Sequence, residues 1–284
     1  MGITVAVVAM GEMGSGVAAR LVQRGARVRT NLKGRSVASA RRAGEAGVDV
    51  AEDDQALVSG ADIVLSIVPP ASAGELARRL LPCIRAANPR PVFADLNAIA
   101  PQTVKAIAEP FLAEGLPFAD GGILGGPPTR DGYNPRIYVS GEAAHQLARL
   151  NDYGLDIRAF SGEVGAASAV KMAFAGCTKG TSAVAVAMML GAARAGVADV
   201  LWSEIEADRP GTLSDQARRL PMIFRKAYRW DGEMEEIAKF LMPEAGGAGL
   251  FHGAAELYRD LARDFADAEG AERMALLETF RNRP

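Results

Sequence analysis

Three stretches carry residues whose type and spacing suit chemistry. The first is the turn Ala9-Met10-Gly11-Glu12-Met13-Gly14, set between a β-branched run at 3–9 and helically spaced apolar residues at 17–23. Strand, glycine turn and helix in that order make a cradle for a dinucleotide. Gly11 lets a pyrophosphate approach the backbone, Gly14 lets helix and strand pack closely, and the helix N-terminus faces the phosphates. Alanine stands at the first glycine position of this pattern. A second register beginning at Gly14 leaves a long gap after the strand and is set aside. The second stretch, 30–36, ends the next strand. An acid there binds the ribose 2′-hydroxyl of NAD. This chain instead offers Asn31, Lys33, Arg35 and Ser36 and no carboxylate. Two cations and a hydroxyl suit the 2′-phosphate of NADP, with Arg35 as the charge-assisted contact, so NADP is expected over NAD. The third stretch, 161–196, is almost wholly small or apolar and holds Lys171 and Lys179 deep inside it. A charge on such a helix is costly unless it is paired or used.

The elements that must position these residues alternate regularly. Strands are expected at 3–9, 26–31, 61–68, 91–96, 116–120 and 136–140, with helices at 17–23, 36–46, 71–86, 101–114 and 141–150 between and after them. This is the pattern of an α/β, Rossmann-type doubly wound sheet, in which ligands bind at the C-terminal ends of the strands. Val68, Pro69 and Pro70, then Asn97 with Ala98, then the 121–126 loop with Gly121, Gly122 and Ile123, all fall at such ends. After Gly196 only helical patterns appear: 197–207, 214–230, 231–241, 250–266 and 271–280. Ser214 and Asp231 are the expected N-caps, and 246–249 is expected to be a flexible glycine stretch. The expected domains are 1–160, cofactor-binding, and 161–284, all-α, joined by one long helix. A helical half this small is expected to bury its apolar faces against a second copy as a homodimer.

Composition narrows the function classes. A net charge of −2 leaves no footprint for nucleic acid or an anionic membrane surface. Cys83 and Cys177 are expected to be reduced, buried thiols, and with only His145 and His252 beside them no metal site is expected. The N-terminus reads as a strand rather than a signal peptide, and Lys171, Lys179 and Arg194 are expected to cut the apolar run short of a membrane span. A cytoplasmic enzyme acting on a small molecule is the expectation.

Four motifs in order resemble the β-hydroxyacid dehydrogenase and 6-phosphogluconate dehydrogenase superfamily over essentially the whole chain. Residues 10–14 resemble its GxGxMG turn, and 95–101 (DLNAIAP) its DxSTxxP segment near the nicotinamide. Residues 118–126 (FADGGILGG) resemble its DAPVSGG substrate loop, and 165–171 (GAASAVK) the start of its GxGxxxK catalytic helix. The TNLKGRS, GGPP and KMAFAGCTKG segments look closest to a poorly characterised branch with its own helical C-terminal domain. The resemblance implies that Lys171 is the general acid/base in a hydride transfer with a small hydroxyacid-like substrate. Such work favours a desolvated lysine, and Ala167, Val170, Phe174 and Ala175 are expected to desolvate it.

The chain departs from the family at several points. The Lys–Asp pair often found later in the family is not evident, the comparable region reading Trp230-Asp231-Gly232-Glu233-Met234-Glu235-Glu236. Leu124 and Ala175 stand where the family has a carboxylate-holding Ser and an Asn, and Thr178 stands where the 6-phosphogluconate branch has an acid. Thr178 and Lys179 return towards the face of Lys171 two turns on. Lys179 either binds an anionic substrate group or is structural, paired with a carboxylate of the helical half or snorkelling to the surface. His252 reads as structural, and Tyr133 and Trp230 as candidates to line the pocket. An imine reductase, or a non-catalytic dinucleotide sensor, is the alternative reading.

Overall fold

The computed structural model describes residues 2–129, 132–266, 271–281 and 283. Arg130 and Asp131, in the glycine- and proline-rich loop, lie outside the described residues. The chain divides into two compact units, 1–172 and 173–284.

The first unit is one eight-stranded sheet. Its strands are β1 (Thr4–Val8), β2 (Arg27–Asn31), β3 (Asp49–Ala51), β4 (Ile63–Ser66), β5 (Val92–Asp95), β6 (Phe118–Leu124), β7 (Arg136–Ser140) and β8 (Asp156–Ala159). The spatial order is β3-β2-β1-β4-β5-β6-β7-β8. Every neighbour pair is parallel except β6–β7. The first six strands therefore follow the 3-2-1-4-5-6 order of the doubly wound dinucleotide fold. Helices α1 (Glu12–Gln23), α2 (Val37–Ala46), α3 (Asp54–Val58), α4 (Ala73–Ala86), α5 (Pro101–Ala113) and α6 (Ala144–Leu147) connect the strands. The central strands are buried on both faces, as their continuous Val, Ile and Ala runs require. One apolar cluster packs under α1, α2 and α6, the other under α3, α4 and α5.

Helix α7 (Ala166–Ala175) closes this unit's chain and runs through a π turn (Gly176–Gly180) into α8 (Thr181–Arg194). The second unit continues with α9 (Ala198–Asp208), α10 (Thr212–Phe240), α11 (Ala245–Ala266) and α12 (Ala271–Arg281).

Five expectations need correction. The two cysteines are not buried: Cys83 is half-buried and Cys177 exposed. The segments 214–230 and 231–241 are one helix, because the buried stripe Leu220, Ile223, Ala227, Trp230, Met234, Ile237 continues at helical spacing through Asp231 and Gly232. Neither Ser214 nor Asp231 is an N-cap. Gly211 occupies that position, and Glu206 of α9 accepts the Gly211, Leu213 and Ser214 N–H groups at 2.7, 2.8 and 3.0 Å. Residues 246–249 are not a flexible stretch but the first turns of α11. The lysines do not interrupt the long helix either. Ala166–Arg194 reaches a mean hydropathy of 1.3 over 18 residues, long and apolar enough to cross a membrane by length and composition alone. Its Ala, Val and Met residues outweigh the cations.

Candidate functional site

Helix α1 begins directly after Gly11, and no side chain caps its N-terminus. Gly11 is exposed, and a Cβ there would meet nothing within 4 Å. The protein's own packing leaves that approach open, which fits a phosphate on the helix N-terminus. Gly14 is the opposite case: a Cβ there would sit 1.9 Å from the Ala9 carbonyl oxygen, so helix and strand touch only because the side chain is missing. Met10 is fully buried in the core and Met13 packs against it, leaving their backbone to the turn, with Ala9 half-buried and Glu12 exposed. Gly16 answers to another need, since a Cβ there would lie 3.1 Å from Pro127 and Pro128 of the loop across α1.

At the end of β2 the Asn31 carboxamide is held on both sides. Its Oδ1 accepts the Lys33 N–H at 2.9 Å and its Nδ2 donates to Asp54 Oδ1 at 2.8 Å. This corrects the reading that no carboxylate stands there: Asp54 arrives at the first residue of α3. Lys33 and Arg35 are exposed and form no ion pair among the described residues. The Ser36 hydroxyl caps α2 by accepting the Ser39 N–H at 3.2 Å.

Asn97 ties the ends of β4 and β5 together. Its Oδ1 accepts the Val68 N–H at 2.6 Å, its Nδ2 donates to Ser66 Oγ at 2.8 Å, and its N–H donates to Asp95 Oδ1 at 3.0 Å. The Val68-Pro69-Pro70 turn is fixed in this way, and the Asn97 amide is committed within the protein.

The end of β6 positions Lys171. A Cβ on Gly121 would lie 2.3 Å from the Leu96 side chain; one on Gly122 would lie 2.7 Å from Lys171 Cβ and 3.0 Å from the Ala167 carbonyl. Glycine at 122 is thus what lets α7 lie against the strand. Ile123 and Leu124 continue the strand as buried apolar residues. The start of α7 is held by two buried side chains. Asp120 accepts the Gly165 and Ser168 N–H groups at 2.9 and 3.0 Å and the Ser168 hydroxyl at 2.6 Å. Ser140 Oγ donates to Asp120 at 3.2 Å and accepts the Ala167 N–H at 3.0 Å. These bonds satisfy N–H groups that the first turn of a helix leaves without an intrahelical partner.

Lys171 itself is half-buried. Ala167 and Ala175 are buried as expected, but Val170 and Phe174 are exposed, so only two of the four expected desolvating neighbours are in place within the chain. Asp95 and Asp120 are register partners on β5 and β6. Burial pushes the Asp95 carboxyl up to about 7 against the opposing hydrogen bonds from Asn97, with the Asp120 charge adding to the rise. Burial likewise raises Asp120, opposed by its Ser168, Gly165 and Ser140 donors. The motif reading named both aspartates without a role; their burial and partners come from residues up to 48 positions away, which no local pattern reports.

In the second unit, Lys179 pairs with Glu233 of α10 and lies 5.2 Å from the centroid of the Trp230 ring. Tyr258 donates to the Lys179 carbonyl at 2.6 Å. The Thr178 hydroxyl bonds back to the Phe174 carbonyl at 2.9 Å. Of the two possibilities for Lys179, a carboxylate partner is the one seen. Trp230 is buried in this unit's core, and His252 pairs with Glu235 at 2.7 Å. Tyr133 accepts the Gly126 N–H at 3.2 Å in the first unit.

Comparison with known proteins agrees with this geometry. Residues 4–150 match the family model described as the NAD binding domain of 6-phosphogluconate dehydrogenase, and residues 192–261 match a domain of unknown function, DUF1932. An uncharacterized 28.5 kDa protein of Methanothermus fervidus is 29% identical over 216 residues, covering 76% of this chain and 82% of that protein. A solved protein of unknown function, described as structurally similar to 3-hydroxyacid dehydrogenases, is 30% identical. It covers 91% of this chain and 98% of its own, with a TM-score of 0.69. The 3-hydroxyisobutyrate dehydrogenase of Mycobacterium tuberculosis shares the fold at 20% identity and a TM-score of 0.74, covering 99% of this chain and 100% of its own. With the cofactor-type sheet, the open glycine turn and a family match across more than half its length, the chain belongs to the family of the 6-phosphogluconate dehydrogenase NAD-binding domain, within the 6-phosphogluconate dehydrogenase-like superfamily.

Proposed function

We propose that this protein is an NADP-dependent oxidoreductase acting on a small hydroxyacid-like substrate, with Lys171 as its general acid/base. The observation that carries the reading is the seat of Lys171. It rests on Gly122 at the C-terminal end of β6, on a helix whose start is fastened by Asp120 and Ser140. Ligands of this fold bind beside that strand end. The 30%-identical relative, with its described similarity to 3-hydroxyacid dehydrogenases, supports the substrate class. The bound dinucleotide supplies or accepts the hydride. In an oxidation, Lys171 Nζ takes the hydroxyl proton as the carbon-bound hydrogen leaves as hydride; in a reduction it returns that proton to the oxygen. Gly122 lies directly against Lys171, with Gly121 and Ile123 on either side in β6. The Glu233 partner supports a structural role for Lys179 in the helical unit.

NADP preference rests on Lys33 and Arg35, exposed at the end of β2 without ion-pair partners among the described residues. Arg35→Ala is expected to weaken NADPH about tenfold or more, the scale of a charge-assisted hydrogen bond, and NADH less than about twofold. Fluorescence titration of both cofactors reads the difference, and equal losses refute the assignment.

A homodimer is proposed through the helical unit. Phe174, Cys177, Thr181, Val184, Met188 and Gly191 are exposed at alternating three- and four-residue spacing, the seam of a paired helix. Sedimentation equilibrium is expected to give twice the chain mass, and a monomer at micromolar concentration contradicts it.

A further inference from the structure

The ion pair at the end of β2 has no part in the reading above. Asp54 opens α3, with Asp53 as its N-cap accepting the Ala56 N–H at 2.7 Å. Both Asp54 oxygens are engaged: Oδ1 by the Asn31 amide at 2.8 Å and Oδ2 by Arg79 Nε of α4 at 2.8 Å. The Asp54 side chain is 19% exposed and that of Arg79 44%.

A carboxylate at the end of β2 is the device by which this fold binds a 2′-hydroxyl, and its charge opposes a 2′-phosphate. Here the carboxylate comes by another route, through β3 and α3, and it is the last of three consecutive acids, Glu52, Asp53 and Asp54. Arg79 is the cation paired with Asp54, and without it the carboxylate beside Asn31 loses its counter-charge. An anionic ribose phosphate would then meet a carboxylate bonded directly to Asn31.

We infer that Arg79 is a specificity-determining residue: by pairing with Asp54 it removes the charge that would otherwise turn this site towards NAD. The inference rests on the NADP reading, in which Asn31, Lys33 and Arg35 receive the 2′-phosphate. Arg79 acts through Asp54, so its effect disappears when Asp54 carries no charge.

The test is a fluorescence titration with NADPH and with NADH on three forms of the full chain: the parent, Arg79→Gln, and the double variant Asp54→Asn/Arg79→Gln. Arg79→Gln is expected to lower the NADPH-to-NADH affinity ratio about fivefold, the scale of one charge acting at about 4 Å through a water-like dielectric. In the double variant the ratio is expected to return to within about twofold of the parent, because the uncharged carboxamide oxygen at position 54 still accepts the Asn31 amide. A ratio unchanged in Arg79→Gln, or a double variant no better than the single, overturns the inference. A parent that binds NADH as tightly as NADPH instead overturns the underlying reading, and it does so before any variant is compared. Arg79→Lys, which keeps the charge, is expected to hold the parent ratio.

Discussion

Lys171→Ala is expected to lower turnover roughly 10²–10⁴-fold, the usual contribution of a positioned acid/base, while NADPH affinity and melting temperature stay near those of the parent. Alanine keeps the Cβ that rests on Gly122, and the amine it removes belongs to a half-buried side chain outside the apolar core. NADP⁺ reduction with a panel of small 3-hydroxyacids reads the loss. Lys171→Arg sharpens the result. Arginine keeps the positive charge but does not release its proton at working pH. It should be as inactive as alanine if Lys171 moves a proton, and substantially active if the position supplies only charge. Parent-like turnover in Lys171→Ala removes Lys171 from the chemistry.

The second large effect lies in the buried carboxylates Asp120, which holds the start of α7, and Asp95, its register partner on β5. Asp120→Ala leaves the Gly165 and Ser168 N–H groups and the Ser168 hydroxyl without the acceptor they have now. A buried donor without its partner costs about 1–3 kcal/mol, so a loss of about 3–5 kcal/mol is expected in chemical denaturation, together with lost turnover as the first turn of α7 loosens. A loss below about 1 kcal/mol contradicts the clamp. Asp95 adds a pH dependence. Its native value of about 7 lies above the 3.8 of the unfolded chain, so between those values the folded state holds a proton that the unfolded state has released. The contribution of Asp95 to stability is therefore greatest below about pH 4, falls as the pH rises towards 7, and levels off once Asp95 ionises in the native state. The fall is up to about 4 kcal/mol at 1.36 kcal/mol per pKa unit. Asp120, raised by burial too, acts in the same direction. Asp95→Asn, which has no charge to bury, is expected to flatten the fall between pH 5 and 7 in a series of thermal melts; an identical slope in parent and variant contradicts the assignment.

Much of the first unit was legible because its strands are near-continuous runs of Val, Ile, Leu, Phe and Ala, and because Gly11 and Gly14 punctuate the first strand–helix step. The elements that escaped notice are short or exposed. Strand β3 has three residues at the sheet edge, α3 has five, and β8 has four, half of them exposed. Missing α3 hid Asp54, and with it the carboxylate that reaches Asn31. Asp231 and the glycine stretch at 246–249 were read as helix boundaries, but the apolar stripes of α10 and α11 bury enough side chain to carry the helices through them. Lys171 stood out as a cation in an apolar run, whereas its supports, Gly122 and Asp120, show their purpose only when β6 is laid against α7. The partner of Lys179 lies 54 residues away, so the sequence left two possibilities that only tertiary structure separates.

The most direct test of the central claim is a titration of the purified parent chain with NADPH and with NADH, followed by nicotinamide fluorescence. Saturable binding of NADPH at least about tenfold tighter than NADH is expected, since one charge-assisted contact to the 2′-phosphate is worth that much. Binding of neither cofactor would show that the turn with Ala9 at its first glycine position does not hold a dinucleotide, and would contradict the proposed oxidoreductase outright.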